Sequence, residues 1–311
     1  MSTKKKKNCR FVVGVGSSIA MAGSQSYLAD ISTGAIFFFF TKIKKIKGPT
    51  QIGFAAGMAL GPALGGLLAD TVGIRNCFLA VGATISGVVV NHYIMCPETL
   101  PKTEQGRKIT WSGIGGEFKD TLNKWKPLWN TKDIRYAIYL HSVFWFTSSG
   151  CMFTLMPLYA TNSLHMSLSS LGSLFAGVAL INVFGSQPMA WISDKFGRKI
   201  VIGPSILILS SAAFLLPYVH TTQQLTALAV WWGIGSTMFQ SAPMAYISDR
   251  SNAQNRSQAL AILRSGGDFG LMLGSSVCAG LAQWYDMRIA TTFAALCLLS
   301  SGFNFVWRTK Y

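Results

Sequence analysis

Long apolar runs separated by short polar stretches dominate the 311-residue chain. The runs fall at 11–29, 49–69, 77–95, 136–160, 171–192, 200–219, 225–247, 259–284 and 289–306. At about 1.5 Å rise per residue, the run 49–69 is about 31 Å long as a helix, enough to cross a bilayer core. The pattern predicts an all-α membrane protein with about nine transmembrane helices. Between the third and fourth runs lies a polar segment, 101–135, with eight Lys/Arg and four acids.

The run 49–69 contains GMALGPALGG at 57–66. Gly53, Gly57, Gly61 and Gly65 recur every fourth residue. That spacing strips side chains from one helix face, where a neighbouring helix can come close. Pro62 removes one backbone donor and predicts a kink.

A faint internal repeat relates the two ends of the chain. Gly14, Gly16, Ser17, Tyr27 and Asp30 match Gly233, Gly235, Ser236, Tyr246 and Asp249 at an offset of 219. Gly53, Gly57, Gly61 and Arg75 match Gly266, Gly270, Gly274 and Arg288 at an offset of 213. The offsets differ by six residues, between Asp30 and Gly53, where TGAIFFFFTKIKKIKG reads as an inserted Phe/Lys stretch near 34–47. The lysine-rich start and AMAG near Ala22 imitate a secretory signal. The repeat argues instead that 11–29 is a mature membrane helix.

Composition sharpens the class. Half the residues are hydrophobic and 12% are charged, against about 25% charged in soluble domains. Mean hydropathy is +0.37. The net charge of +16 imitates a nucleic-acid signal. Its clustering between apolar runs fits positive-inside topology better, so no nucleic-acid partner is expected. The six cysteines are scattered, without metal spacing, and read as apolar fillers. No metal cluster, nucleophile motif or phosphate loop is legible, so neither an enzyme nor a cofactor is expected.

The segment 57–66 resembles the antiporter motif GxxxGPxxGG on the fifth helix of the major facilitator superfamily, through Gly57, Gly61, Pro62, Gly65 and Gly66. Arg10, Gly14 and Gly16 resemble the RxxQGxG motif of the fourth helix, with Val13 where the family has glutamine. PETL at 97–100 resembles the end of the sixth. Residues 190–199, AWISDKFGRK, resemble the loop motif GxxxDRxGRK, with Ala190 for the first glycine and Lys195 for the first arginine. Superfamily halves repeat helices four to six as ten to twelve. The resemblance therefore implies an incomplete major facilitator fold, family helices four to twelve. Residues 1–100 would form an incomplete N-terminal half, 101–135 a cytoplasmic linker, and 136–311 a six-helix C-terminal half. It also implies a monomer in the lipid bilayer with a cytoplasmic C-terminus, moving a small molecule against protons by alternating access.

On that resemblance Asp194, Arg198 and Asp249 form a cytoplasmic charge latch. The plainer reading is a solvated basic loop that sets topology. Asp30 takes the matching place in the first half, where only Lys42, Lys44, Lys45 or Lys47 offers a partner. Arg264 and Asp268 sit one helical turn apart in the run 259–284. Intramembrane ionisable residues cost about 2.5–3.5 kcal/mol each on insertion scales and mark candidate sites. Arg264, about 8 Å from the basic end, can snorkel. Asp268, about 14 Å in, must pair, protonate or face a wet cavity. Proton coupling would use Asp268 and Arg264, with Arg10 as the relay arginine of the fourth helix; the alternative is a structural pair locking the helix. His141, Gln187 and Gln240 are candidates to line the central cavity, because polar side chains avoid lipid.

The alternative to a transporter is a truncated, non-transporting membrane polypeptide or gene-model fragment. The helix at 11–29 has lysines at both ends, and both ends prefer the cytoplasm. We expect it to insert poorly. Engineered glycosylation sites in the N-tail should stay unmodified; efficient modification contradicts this.

Overall fold

The structure is a computed structural model and describes residues 57, 60–95, 111–252 and 255–309. Arg10, Asp30, Gly53, the run 11–29 and the Phe/Lys stretch at 34–47 lie outside the described residues. Among the described residues there are helices and short turns and no strand. Helix α1 is Leu60–Val72, and α2 is Ile74–Met95. Helix α3 is Trp111–Asn130. Helix α4, Lys132–Thr147, runs into a π-helical segment, Ser148–Leu155, and on into α5, Met156–Asn162. Then come α6 (Leu168–Phe196), α7 (Arg198–Leu215), α8 (Thr222–Arg250), α9 (Arg256–Trp284) and α10 (Met287–Arg308). Eight of the nine expected runs thus meet a described helix, and the ninth is 11–29.

Local chemistry sets the breaks. Gly73, at φ 83°, turns α1 into α2, and Gly197, at φ 102°, turns α6 into α7. Both lie in the left-handed half of backbone space that glycine enters without a Cβ clash. Ser167 caps α6 by accepting from the Ser170 amide. Thr221 and Gln224 close a capping box on α8. Each cap satisfies donors that the first helical turn leaves open.

Two compact units divide the chain. One, residues 1–54 with 80–108, contributes the later part of α2 to the described structure. The other holds 55–79 with 109–311. In this second unit α9 lies along α4 and the π segment, α8 packs on α6 and α7, and α10 packs on α7 and α4. Phe144, Phe239, Leu209, Leu263 and Phe305 are fully buried between them. The Phe144 and Phe239 rings stack with centroids 4.3 Å apart. Large apolar side chains also cover the outside: Phe184, Phe303 and Trp307 are 75%, 67% and 78% exposed. Such a surface suits lipid and would aggregate in water. Among the described residues, four helices are long and apolar enough to cross a membrane: Ile74–Met95, Leu168–Phe196, Arg198–Tyr218 and Met287–Arg308.

The tightest approach follows the second copy of the glycine repeat. A Cβ at Gly270 would collide with the Ser142 carbonyl of α4, and one at Gly274 with the Phe146 carbonyl. At Gly266 it would meet Ser142 Oγ at 2.8 Å. The first copy behaves differently. Among the described residues, nothing lies within 4 Å of a Cβ placed at Gly57, Gly61 or Gly65. In α1 the close approach is at Gly66, against the Leu168 carbonyl of α6, answered by Gly172 against the Pro62 carbonyl. The stripe expected from four-residue spacing is therefore offset by one residue where α1 meets α6. We predict that Gly270→Leu lowers thermal stability in detergent by about 1–3 kcal/mol or more. Gly280→Leu, on the same helix with open space around it, should unfold at the wild-type temperature.

Candidate functional site

One end of the bundle gathers charge. Helix α6 finishes at Ser193–Phe196, Gly197 turns, and Arg198 opens α7. The turn folds Arg198 back onto Asp194, four residues earlier, in an ion pair. Its Nε also donates to Asp249 Oδ2 near the end of α8, at 3.3 Å. An Nη donates to Ser193 Oγ at 3.3 Å. The structure thus brings Asp194, Arg198 and Asp249 together. Both carboxylates are more than half exposed, so each pair contributes about 0.2–1 kcal/mol. Lys195 lies over the Trp191 ring, 4.9 Å from its centroid.

Three further contacts at this end were missed by sequence reasoning. Arg250 pairs with Asp133 of α4 at 2.7 Å, joining α8 to α4. Lys199 is buried and donates its Nζ to the Thr309 carbonyl. Arg308 reaches the Tyr136 hydroxyl at 3.3 Å. Together these contacts lash the ends of α4, α6, α7, α8 and α10. The available signal was an acid in the first turn of α4, opposite a basic helix end.

A cavity of about 140 Å³ opens among α4, the π segment, α6 and α8, with Pro62 at its rim. Its walls are mostly apolar, including Phe144, Met152, Phe153 and Trp232. Polar groups are few: Ser148, Asn182, Ser236 and Gln240. Asn182 Oδ1 accepts from Ser236 Oγ at 3.0 Å and from Thr237 Oγ1 at 2.7 Å. Its amide nitrogen donates to the Val178 carbonyl at 3.1 Å. Sequence reasoning missed Asn182, although an amide in an apolar run is a sufficient signal.

The candidates named from sequence fall in three places. Gln240 lines this cavity. Gln187 lies on an exposed face of α6. His141 is buried between α4 and α9, beneath Gly267. Its Nε2 accepts from Trp145 Nε1 at 3.1 Å, so a neutral ring carries its proton on Nδ1. Arg264 and Asp268 share an exposed face of α9, turned away from the glycines that meet α4. Among the described residues, no ion pair joins Asp268 to a cation.

The opposite end is fastened differently, with the Tyr159 hydroxyl donating to the Val219 carbonyl. Asp70, near the end of α1, accepts from the Ser169 amide at 2.7 Å, in the first turn of α6. A carboxylate there suits the positive end of the helix dipole. Hydrogen bonds from Ser169 hold its pKa below the usual carboxylate value.

Comparison with known proteins places the chain in a family. A sequence profile of the Major Facilitator Superfamily matches residues 9–182 and 142–310. The chain belongs to that superfamily and is an integral membrane protein. It is similar to the multi-drug resistance efflux pump PmrA homolog of Lactococcus lactis, 23% identical over 84% of this chain and 62% of that one. It is also similar to multidrug resistance protein 1 of Bacillus subtilis, 29% identical over 53% of this chain and 42% of that one. The lysophospholipid transporter LplT of Escherichia coli is 26% identical over 96% of this chain and 73% of its own length. The chain thus spans under two thirds of the first two relatives. The crystal structure of the human organic anion transporter MFSD10 (TETRAN) shares the fold, with a TM-score of 0.55 and 16% identity over 81% of this chain and 61% of that one.

The Asp70 contact should be acid-sensitive. A lowered folded pKa means that the contact stabilises above the unfolded value of about 3.9 and is lost as pH falls through the folded value. Thermal stability should therefore fall more steeply on acidification in wild type than in Asp70→Asn. Parallel curves contradict this.

Proposed function

We propose that the chain is a transporter that moves an amphipathic small molecule across a membrane by proton-coupled antiport. The observation that carries the reading is Asp268: a carboxylate on the open face of a helix whose other face is locked onto α4. In a membrane such a group must protonate, pair or meet water. Taking a proton from one side and releasing it to the other is the step that coupling needs. Arg264 lies one turn away on the same face, and Arg10 is the relay arginine of the fourth-helix motif.

Alternating access follows as rocking of two halves about a midplane site. In this reading residues 1–100 belong to the first half, 101–135 form the cytoplasmic linker, and 136–311 form the second half, with the C-terminus cytoplasmic. The Asp194–Arg198–Asp249 cluster closes the basic end, and its rupture accompanies the change of access. The apolar cavity with its Asn182–Ser236 patch supports a cargo that is mostly apolar with one polar end. The efflux-pump relatives support a drug-like cargo. The fuller coverage of the lysophospholipid transporter supports a single-chain lipid of the same character. Binding such cargo calls for no cofactor and no covalent intermediate. The protein works as a monomer.

In proteoliposomes with an imposed pH gradient, Asp268→Asn should abolish proton-coupled substrate movement and leave expression intact. Asp268→Glu should retain part of it. Unchanged coupling in Asp268→Asn removes the mechanism. Failure of the wild-type chain to move either a cationic dye or a lysophospholipid leaves the non-transporting alternative.

A further inference from the structure

Helix α3 lies alongside the apolar spans and has a different character. Leu128 is buried, and Trp125 Nε1 donates to Gln258 Oε1 of α9 at 3.1 Å. These contacts fix one side of α3 against the bundle. The adjoining side carries Leu122 and Trp129, 41% and 44% exposed. They are seven residues apart and so share one face. Lys119 and Lys126, also seven apart, run along the border of that face.

Between α3 and α9 is a groove of about 380 Å³, lined by Leu122, Trp125, Lys126, Trp129, Asn130 and Ile262. Its floor is apolar and aromatic, and its rim carries one ammonium and one amide. Ile262 belongs to α9, so the floor continues onto the side of a membrane helix. The nearby acids leave the rim positive. Asp133 is engaged by Arg250, and Asp120 falls on the far side of α3 by helical register. An exposed Leu/Trp face bordered by lysines is the pattern of a helix lying in the headgroup layer.

We propose that this groove holds an anionic phospholipid of the leaflet next to α3. An acyl chain lies against Leu122, Trp129 and Ile262, and the phosphate meets Lys126, with Lys119 adding to the local field. The shape accepts any phospholipid, and the charge selects the anionic ones. This site is separate from the cavity among α4, α6 and α8, and its occupancy does not depend on whether the chain transports.

The test is lipid competition on the purified full chain in detergent. Equal amounts of phosphatidylglycerol and phosphatidylcholine are added, and bound lipid is counted by native mass spectrometry. Wild type should retain phosphatidylglycerol preferentially, and higher ionic strength should erode the preference. Lys126→Ala should weaken the preference about five-fold, and Lys126→Arg should restore it. Equal retention of the two lipids by wild type overturns the proposal without recourse to any variant. So does an unchanged preference in Lys126→Ala. Displacement of the lipid by inorganic phosphate at equal strength assigns the rim to a soluble anion and also overturns it.

Discussion

Contact between bare helix backbones is the constraint from which the rest follows. In lipid no hydrophobic force separates helix from solvent, because acyl chains are as apolar as leucine. Association then depends on close packing and on polar contacts. Gly270 and Gly274 let α9 settle onto the carbonyls of α4, and Gly266 clears the Ser142 and Ile138 side chains beside them. Gly150 of the π segment makes room for the Cys278 side chain of α9 and lies close to the Gly274 carbonyl. With that seam closed, α9 can present only its other face outward, and Arg264 and Asp268 are on it. The placement of the ionisable pair is thus a consequence of where the small residues are.

The two ends of the bundle are fastened by different means. At the basic end, ion pairs share the load, and the two on Arg198, whose carboxylates are exposed, are each worth little singly. Arg198 alone engages Asp194, Asp249 and Ser193. At the far end, Asp70 holds the first turn of α6 beside two backbone approaches, Gly66 on Leu168 and Gly172 on Pro62. Solvated pairs can be exchanged at small cost, whereas a glycine seated on a carbonyl leaves no intermediate position. The two ends thus differ in kind, one held by exchangeable pairs and the other by seated backbone.

Much of this was legible in the sequence, and the gaps have physical causes. Apolar run length located the helices, because crossing a bilayer sets a minimum span. The Asp194–Arg198 turn was readable because its residues are local and Gly197 marks the bend. The second glycine stripe was readable from its four-residue period. What stayed hidden involves partners far apart in the chain: Arg250 with Asp133, 117 residues away, Asp70 with Ser169, 99 away, and Asn182 with Thr237, 55 away. Periodicity tells which face of a helix is bare or polar. It does not tell which helix will stand opposite. His141 shows the same limit: its polarity was evident, but its burial under Gly267 depends on α9.

The π-helical stretch, Ser148–Leu155, interrupts a continuous rod from Lys132 to Asn162. Each wider turn takes up more residues than an α turn, so the angular phase of the rod slips partway along. Side chains before and after the slip that share a wall of the cavity, such as Phe144 and Met156, are not the ones an unbroken 3.6-residue wheel would pair. A cysteine-accessibility scan along this rod should therefore show two offset stripes of labelling rather than one, and aligning it to a relative wound as plain α-helix would shift every assignment past residue 148.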